Sequence, residues 1–194
     1  MRRTTIAAIA AGLLLTATAC GGTDEITTKP NKPAATAEAK DTAEEKPAEP
    51  APSKAKDAKV GDTITLKGFE EGEQLDVTVT KWVDNAKSGD EFTSPEDGNR
   101  WIGVQFQLVN TGTKVYSDSP ANGAQVADAE GQQFQPTFAD ITAGPSMSSS
   151  VRLTAGSKGL GWIVFETPKG SKVTTVQFTM NSGMADETGQ WTLS

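Results

Sequence analysis

Apolar side chains recur at every second position in short runs along residues 60–194. Leu75, Val77 and Val79 alternate with polar residues, and residues 102–108 repeat the pattern. Shorter runs of the same kind are residues 63–66, 124–126, 133–135, 150–153, 173–178 and 191–193. Because successive side chains of a strand point to opposite sides, this spacing predicts β-strands with one buried face.

One run lacks the alternation. Residues 160–165 are almost continuously apolar, which predicts a central strand covered on both faces. Gly, Pro, Asn and Asp separate the runs at short spacing, and no apolar stripe of helical period follows residue 20. These features predict an all-β domain over residues 60–194, an immunoglobulin-like β-sandwich of about seven to nine strands.

The first residues have the three parts of an export signal. Arg2 and Arg3 are basic, residues 6–15 are apolar or small, and residues 17–19 are small. This order is typical of a secretory signal peptide. The apolar part falls well short of the ~20 residues that span a bilayer. We therefore expect residues 1–19 to form a cleaved signal peptide rather than a transmembrane helix.

The single cysteine, Cys20, follows this segment directly. Ala17-Thr18-Ala19-Cys20 resembles the bacterial lipobox, although the first position of that motif is usually leucine. The resemblance implies that Cys20 carries a diacylglycerol and becomes the N-terminus. Two acyl chains, at ~0.8 kcal/mol per buried CH₂, anchor a protein stably. The predicted location is the extracytoplasmic face of the cell membrane, with the lipid anchor on Cys20.

Residues 20–59 have a different composition. Ala, Pro, Lys, Glu and Thr dominate, and Ile26 is the only large apolar residue before Val60. Such a segment cannot bury enough surface to offset its chain entropy. We expect a disordered tether between the anchor and the domain, with prolines that disfavour a long helix.

Charge and composition exclude several kinds of chemistry. Residues 60–194 hold 9 Lys and Arg against 17 Asp and Glu, a net charge of −8, which disfavours binding to nucleic acid. The chain has no histidine, which excludes Ser-His-Asp triads and histidine metal sites. One cysteine excludes an intrachain disulfide and cysteine zinc sites. We expect no enzymatic activity, no cofactor and no metal centre.

The densest acidic patch lies in the loop over residues 84–97 and comprises Asp84, Asp90, Glu91, Glu96 and Asp97. Hard cations such as Ca²⁺ take oxygen ligands from loops of this kind. The spacing does not match an EF-hand, and Lys87 and Arg100 lie nearby. We interpret the patch as a solvated loop and keep calcium or small-solute binding as an alternative.

The four tryptophans are candidates for the core or for a contact surface. Trp101, Trp162 and Trp191 begin or occupy apolar strands, so we expect them in the core. Trp82 is out of phase with Leu75, Val77 and Val79, which places it on the opposite face of the strand. If exposed there, Trp82 is a candidate contact for a partner.

Three segments, in this order, resemble a known family. Residues 101–112 are a strand that ends in an Asn-x-Gly turn, residues 128–134 are a hairpin with an Asp-x-x-Gly turn, and residues 153–168 are two strands joined by a Gly turn. The set resembles bacterial secreted lipoproteins with an immunoglobulin-like domain of unknown function, similar to an immunoprotective extracellular antigen. The resemblance implies the fold and an extracellular location. It implies no activity and no site residues.

The expected role is that of a membrane-anchored binding or accessory module in the cell envelope. Its partner would be an envelope protein or a cell-wall polymer, bound by a monomeric domain. A third hypothesis, after calcium binding, is a glycan hydrolase that uses paired carboxylates.

Overall fold

The structure, a computed structural model, describes residues 58–193 and, before them, the strand Thr27–Lys29. The described residues form twelve strands, one 3-10 turn and one short helical segment. They are β1 (Thr27–Lys29), β2 (Thr63–Lys67), β3 (Gln74–Val83), β4 (Asn99–Asn110), β5 (Tyr116–Asp118), the 3-10 turn (Pro120–Gly123), β6 (Ala124–Asp128), β7 (Gln133–Phe134), β8 (Pro136–Thr137), β9 (Val151–Leu153), β10 (Lys158–Pro168), β11 (Val173–Thr179), α1 (Met180–Gly183) and β12 (Thr188–Thr192). Seven of the strands have five or more residues. Within this part of the chain, no helix has the length and apolarity to cross a membrane.

The strands form two larger sheets and one small ladder, all with antiparallel pairing. The larger sheet has the order β1-β2-β3-β4-β10-β8, the second has the order β12-β11-β6-β7, and β5 pairs with β9. The two larger sheets face each other across one core, so the fold is the predicted all-β sandwich.

The main core lies between the facing sides of these two sheets. β4 contributes alternate residues, including Val104 and Phe106, and the second sheet contributes Phe178 and Trp191. The rings of Phe106 and Phe178 lie 5.6 Å apart between centroids, at an interplanar angle of 46°. The sequence alternation therefore identified the buried face of the long strands.

A second, smaller core lies on the outer face of the larger sheet. Trp101, Trp162 and Val164 point outward from β4 and β10, and Ala86 and Ile141 cover them from two loops. The prediction of a strand covered on both faces is confirmed for the part of β10 that includes these residues. It is wrong for Leu160, which lies beyond the covering loops and is 56% exposed.

A β-bulge in β3 changes the face of Trp82. Val79 pairs with Phe106 and Lys81 pairs with Gln105, so Thr80 is one residue too many for its partner strand. The extra residue reverses the alternation after it. Trp82 therefore lies half-buried against the main core, and its predicted placement on the opposite face is wrong.

The turns of the three motif segments have the predicted form. Asn110 Oδ1 accepts a hydrogen bond from Gly112 N at 3.0 Å, which closes the Asn-x-Gly turn. Asp128 O accepts from Gly131 N at 3.1 Å in the hairpin that joins β6 and β7. Gly156 has a φ of 78° in the turn before β10, a backbone conformation that glycine adopts without strain.

Two results alter the predicted boundary between the tether and the domain. Ala58 is buried, and Ala58 O accepts a hydrogen bond from Thr192 N at 2.8 Å, so the folded domain includes residues assigned to the tether. β1 lies inside the predicted tether and pairs with β2, with Thr28 opposite Ile64. Thr27–Lys29 therefore form a strand within the segment that the sequence predicts to be a disordered tether. The rest of residues 1–57 lies outside the described residues.

Replacing Phe106 by Ala tests the main core. We expect a loss of about 3–5 kcal/mol in the free energy of unfolding, because the change leaves a cavity between the two sheets. Urea unfolding measures the loss. Phe92→Ala removes the same ring from an exposed position and should change stability by no more than about 0.5 kcal/mol. Equal losses in the two variants would contradict this assignment of the core.

Candidate functional site

A cleft of about 610 Å³ lies beside β10 at the edge of the larger sheet. Its floor is Trp162, Ile163 and Val164. One wall is β8 with residues 138–140 and the loop around Asp90, and the other is residues 146–149 with the 3-10 turn. The volume lies within the range of about 300–1,000 Å³ found for small-molecule pockets.

Two carboxylates and several hydroxyl groups line the cleft. Asp140 Oδ1 accepts a hydrogen bond from Ser146 Oγ at 2.6 Å. Asp90 accepts from Phe92 N at 2.7 Å, and from Thr93 N and Thr93 Oγ1 at 2.8 Å each. The hydrogen bonds from the Thr93 side chain and from the two backbone amides lower the pKa of Asp90, so this carboxylate is ionised at neutral pH.

Two phenylalanines on the loops beside the cleft are almost fully exposed. Phe138 lines the cleft and is 97% exposed, and Phe92, on the loop that carries Asp90, is 89% exposed. The two loops are joined by a hydrogen bond from Gly89 N to Asp140 O at 2.8 Å. Large apolar side chains that are exposed close together mark interaction sites more often than single ones do.

The loop over residues 84–98 is held to the larger sheet near both of its ends. Arg100 Nε donates to Asp84 Oδ1 at 2.6 Å, and the Arg100 guanidinium also donates to Pro168 O and Ser171 O. Lys169 N donates to Gly98 O at 2.9 Å. These bonds fix the base of the loop and leave Phe92 projecting from it.

Glu166 on β10 fixes the same loop from the side of the sheet. Its carboxylate accepts hydrogen bonds from Glu96 N at 2.8 Å, Asn99 Nδ2 at 2.9 Å and Trp101 Nε1 at 3.0 Å. Burial by itself would raise the pKa of Glu166, but the hydrogen bonds from Asn99, Glu96 and Trp101 outweigh burial, and the pKa is lowered. The ionised carboxylate is therefore the form that holds the loop.

The 3-10 turn that lines the cleft rests on a left-handed segment. Asn181, Ser182 and Gly183 have φ values of 52°, 55° and 87°. Asp118 holds this segment through Ser182 N at 2.8 Å and Ser182 Oγ at 2.6 Å. Left-handed backbone at non-glycine residues is unfavourable and persists where other contacts fix it. Asp118 thus connects the strained segment to the cleft wall, because its carboxylate also accepts from Ser119 N.

The acidic patch predicted over residues 84–97 is not gathered into one site. Asp84 pairs with Arg100, and Asp90 is bound within its own loop. In residues 58–193, no three acidic side chains come together in a way that could hold a metal ion. The calcium alternative therefore finds no cluster of three acidic ligands in the described part of the chain.

Sequence reasoning proposed Trp82 as a contact and missed Phe92 and Phe138. The signal for Phe138 was a single phenylalanine between Pro136 and Asp140, outside any alternating run. Phe92 followed two acidic residues in the same way. An isolated aromatic residue in a polar loop can be predicted to be exposed. No sequence pattern, however, indicates that the two loops lie together.

The family model described as "Domain of unknown function (DUF4352)" matches residues 58–188. The chain belongs to this family. Membership confirms the resemblance drawn from the three motif segments. No curated protein is similar enough to this chain to count as a match.

Solved structures share the sandwich. MPT63, a secreted protein of Mycobacterium tuberculosis, is 19% identical with a TM-score of 0.50, over 70% of this chain and 95% of its own. The ycdA protein of Bacillus subtilis, a candidate lipoprotein, is 12% identical with a TM-score of 0.49 over 66% of this chain, which spans 38% of ycdA. An uncharacterized β-sandwich protein of Clostridium difficile 630 is 10% identical with a TM-score of 0.40, over 75% of this chain and 100% of its own. At this identity, the likeness to MPT63 shows a shared fold.

Glu166→Gln should reduce stability in a pH-dependent way. A lowered folded-state pKa means that the ionised carboxylate contributes stability above the ordinary glutamate pKa of ~4.3, and that this contribution is lost as pH falls through the folded-state value. We expect the variant to be less stable than the unaltered chain at pH 7 and the difference to shrink towards pH 3, in urea unfolding. Glu130→Gln, at an exposed position, is the matched control. A difference that stays constant over this pH range would contradict the role of the carboxylate.

Proposed function

We propose that this chain is an exported, lipid-anchored protein whose sandwich binds a component of the cell envelope at the cleft beside β10. The observation that carries the proposal is the exposure of Phe138 in the lining of the cleft and of Phe92 on the loop joined to it. Exposing two phenylalanine rings to water is unfavourable, and a partner that covers them would gain about 25 cal/mol per Å² of apolar surface.

The construction of the cleft supports a binding role. Its rim loops are attached to the rigid larger sheet through Arg100, Glu166 and the second core, so the rim is preorganised. Preorganisation lowers the entropy lost on association. A binding role therefore fits loops that are fixed at their bases and apolar at their tips.

The proposed location rests on the sequence before the described residues. Residues 1–19 have the parts of a signal peptide, and Cys20 stands at the lipobox position. An extracytoplasmic domain also agrees with MPT63, a secreted protein that shares the fold.

A non-enzymatic role is favoured over glycan hydrolysis. Hydrolysis by two carboxyl groups needs one with a raised pKa to act as the general acid. Hydrogen bonds lower the pKa of Asp90 in this cleft, so Asp90 does not suit the role of the general acid. The chain also has no histidine to act as an acid or base in place of a carboxyl group.

Lipidation is tested by replacing Cys20. The unaltered chain should incorporate labelled palmitate in a bacterial host and fractionate with the membrane. Cys20→Ser should take up no label and leave the membrane fraction, because the thioether to the diacylglycerol cannot form. Thr23→Ser is the control for a substitution near the processing site. An unmodified Cys20 thiol in the mature protein, seen by mass spectrometry, would refute the anchor.

The cleft is tested by photo-crosslinking in the native membrane. A photoreactive phenylalanine analogue is placed at Phe138, at Phe92 or, as a control, at Phe69, which is 59% exposed and does not line the cleft. We expect Phe138 and Phe92 to yield the same identified partner and Phe69 to yield none. Equal products from the three positions, or none above background, would count against the cleft as the binding surface.

A further inference from the structure

We infer that the cleft binds a positively charged side chain flanked by apolar residues, as an extended basic segment of another envelope protein would present it. The inference rests on the proposed function, in which the cleft is the partner site. It names the chemistry of the partner, which the proposed function leaves open.

The charged side chains that line the cleft are all acidic. Asp90 and Asp140 line the cleft, and the described residues that line it include no Lys, Arg or His. In the described domain, Arg100 pairs with Asp84 and Lys114 pairs with Glu70, and neither pair lies in the cleft. Thus no basic side chain of residues 58–193 forms a salt bridge with either carboxylate of the cleft.

The carboxylate of Asp140 retains acceptor capacity for a ligand. A carboxylate has about four lone-pair directions. Asp140 uses Oδ1 for Ser146 Oγ, and its Oδ2 has no donor among the described residues. A lysine or arginine side chain could therefore bind Asp140 without displacing the serine.

The apolar rim suits the rest of a basic side chain. Lysine and arginine carry long methylene stems that lie along apolar surface while the charged end reaches a polar group. Phe138 offers such a surface on the same wall as Asp140, and its ring can also attract a cation. Apolar neighbours of the basic residue would cover Phe92. An exposed aromatic rim next to carboxylates thus fits an alternating basic and apolar segment.

Other ligand classes fit less well. An anionic ligand would be repelled by both carboxylates and by the domain, whose residues 60–194 have a net charge of −8. A neutral glycan could stack on phenylalanine and donate a hydroxyl hydrogen bond to Asp140, but it would leave the charges of both carboxylates uncompensated. The same net charge would speed the approach of a basic partner at low salt.

The experiment uses the full lipidated chain in neutral detergent and three fluorescent hexapeptides. They alternate valine with lysine, with glutamate or with serine, and fluorescence anisotropy measures binding. We expect the lysine peptide alone to bind, and more weakly as salt is raised. Asp140→Asn and Phe138→Ala should each weaken it by about tenfold, which corresponds to about 1.4 kcal/mol. Asp186→Asn and Phe69→Ala remove the same groups from exposed positions outside the cleft and should change the affinity less than about twofold.

A second measurement does not depend on any variant. In the unaltered chain, amide chemical shifts that change on adding the lysine peptide should cluster in residues 90–93 and 138–147. The inference is overturned if the lysine peptide does not bind, if Asp186→Asn weakens it as much as Asp140→Asn does, or if the shifts lie elsewhere. A partner crosslinked at Phe138 together with any of these results would leave the proposed function standing and refute the basic ligand.

Discussion

The burial of β4 and β10 on both faces is the constraint on which the rest of this structure depends. The inner face of each strand packs in the sandwich core, as in any two-layer β domain. The outer face carries Trp101, Trp162 and Val164, which no second layer of strands covers. Because such large apolar side chains cannot stay in water without cost, the two loops that carry Ala86 and Ile141 have to lie flat on the sheet.

The candidate site results from the way these two loops cover the outer face of the sheet. A loop that must lie on the sheet has to be fixed at its base, and Arg100 and Glu166 supply the bonds. Its tip is then free to carry an exposed residue without affecting the core. The second loop returns along the edge of β10, where Met147 N donates to Trp162 O at 2.7 Å. The cleft is the space that remains between these two loops, so its walls are attached to the outer core that they cover.

Sequence patterns predicted the sandwich because the alternation of apolar and polar residues depends only on the local geometry of a strand. The long strands, the three turns and the two-sided burial of residues 162–165 of β10 all follow from the order of side chains along single segments. Trp82 shows the limit, since one extra residue, Thr80, reversed the face of everything after it in the strand. A bulge depends on the partner strand and leaves little trace in local spacing. The cleft could not be predicted from the sequence for the same reason. It depends on a contact between two loops distant in the chain, the hydrogen bond from Gly89 N to Asp140 O.

β1 forms one edge of the larger sheet and also limits the distance between that edge and Cys20. Thr27 is seven residue steps after Cys20, and a chain extends by at most about 3.6 Å per step, which gives about 25 Å. With Cys20 in the membrane, as proposed, pairing of β1 with β2 would keep that edge of the larger sheet close to the lipid, whatever the length of residues 30–57. β8 and the cleft lie at the opposite edge of the same sheet, five strand spacings of ~4.8 Å away. The cleft would then lie on the edge of the sheet that is not tethered, about 24 Å from β1, and so would be free to meet a partner.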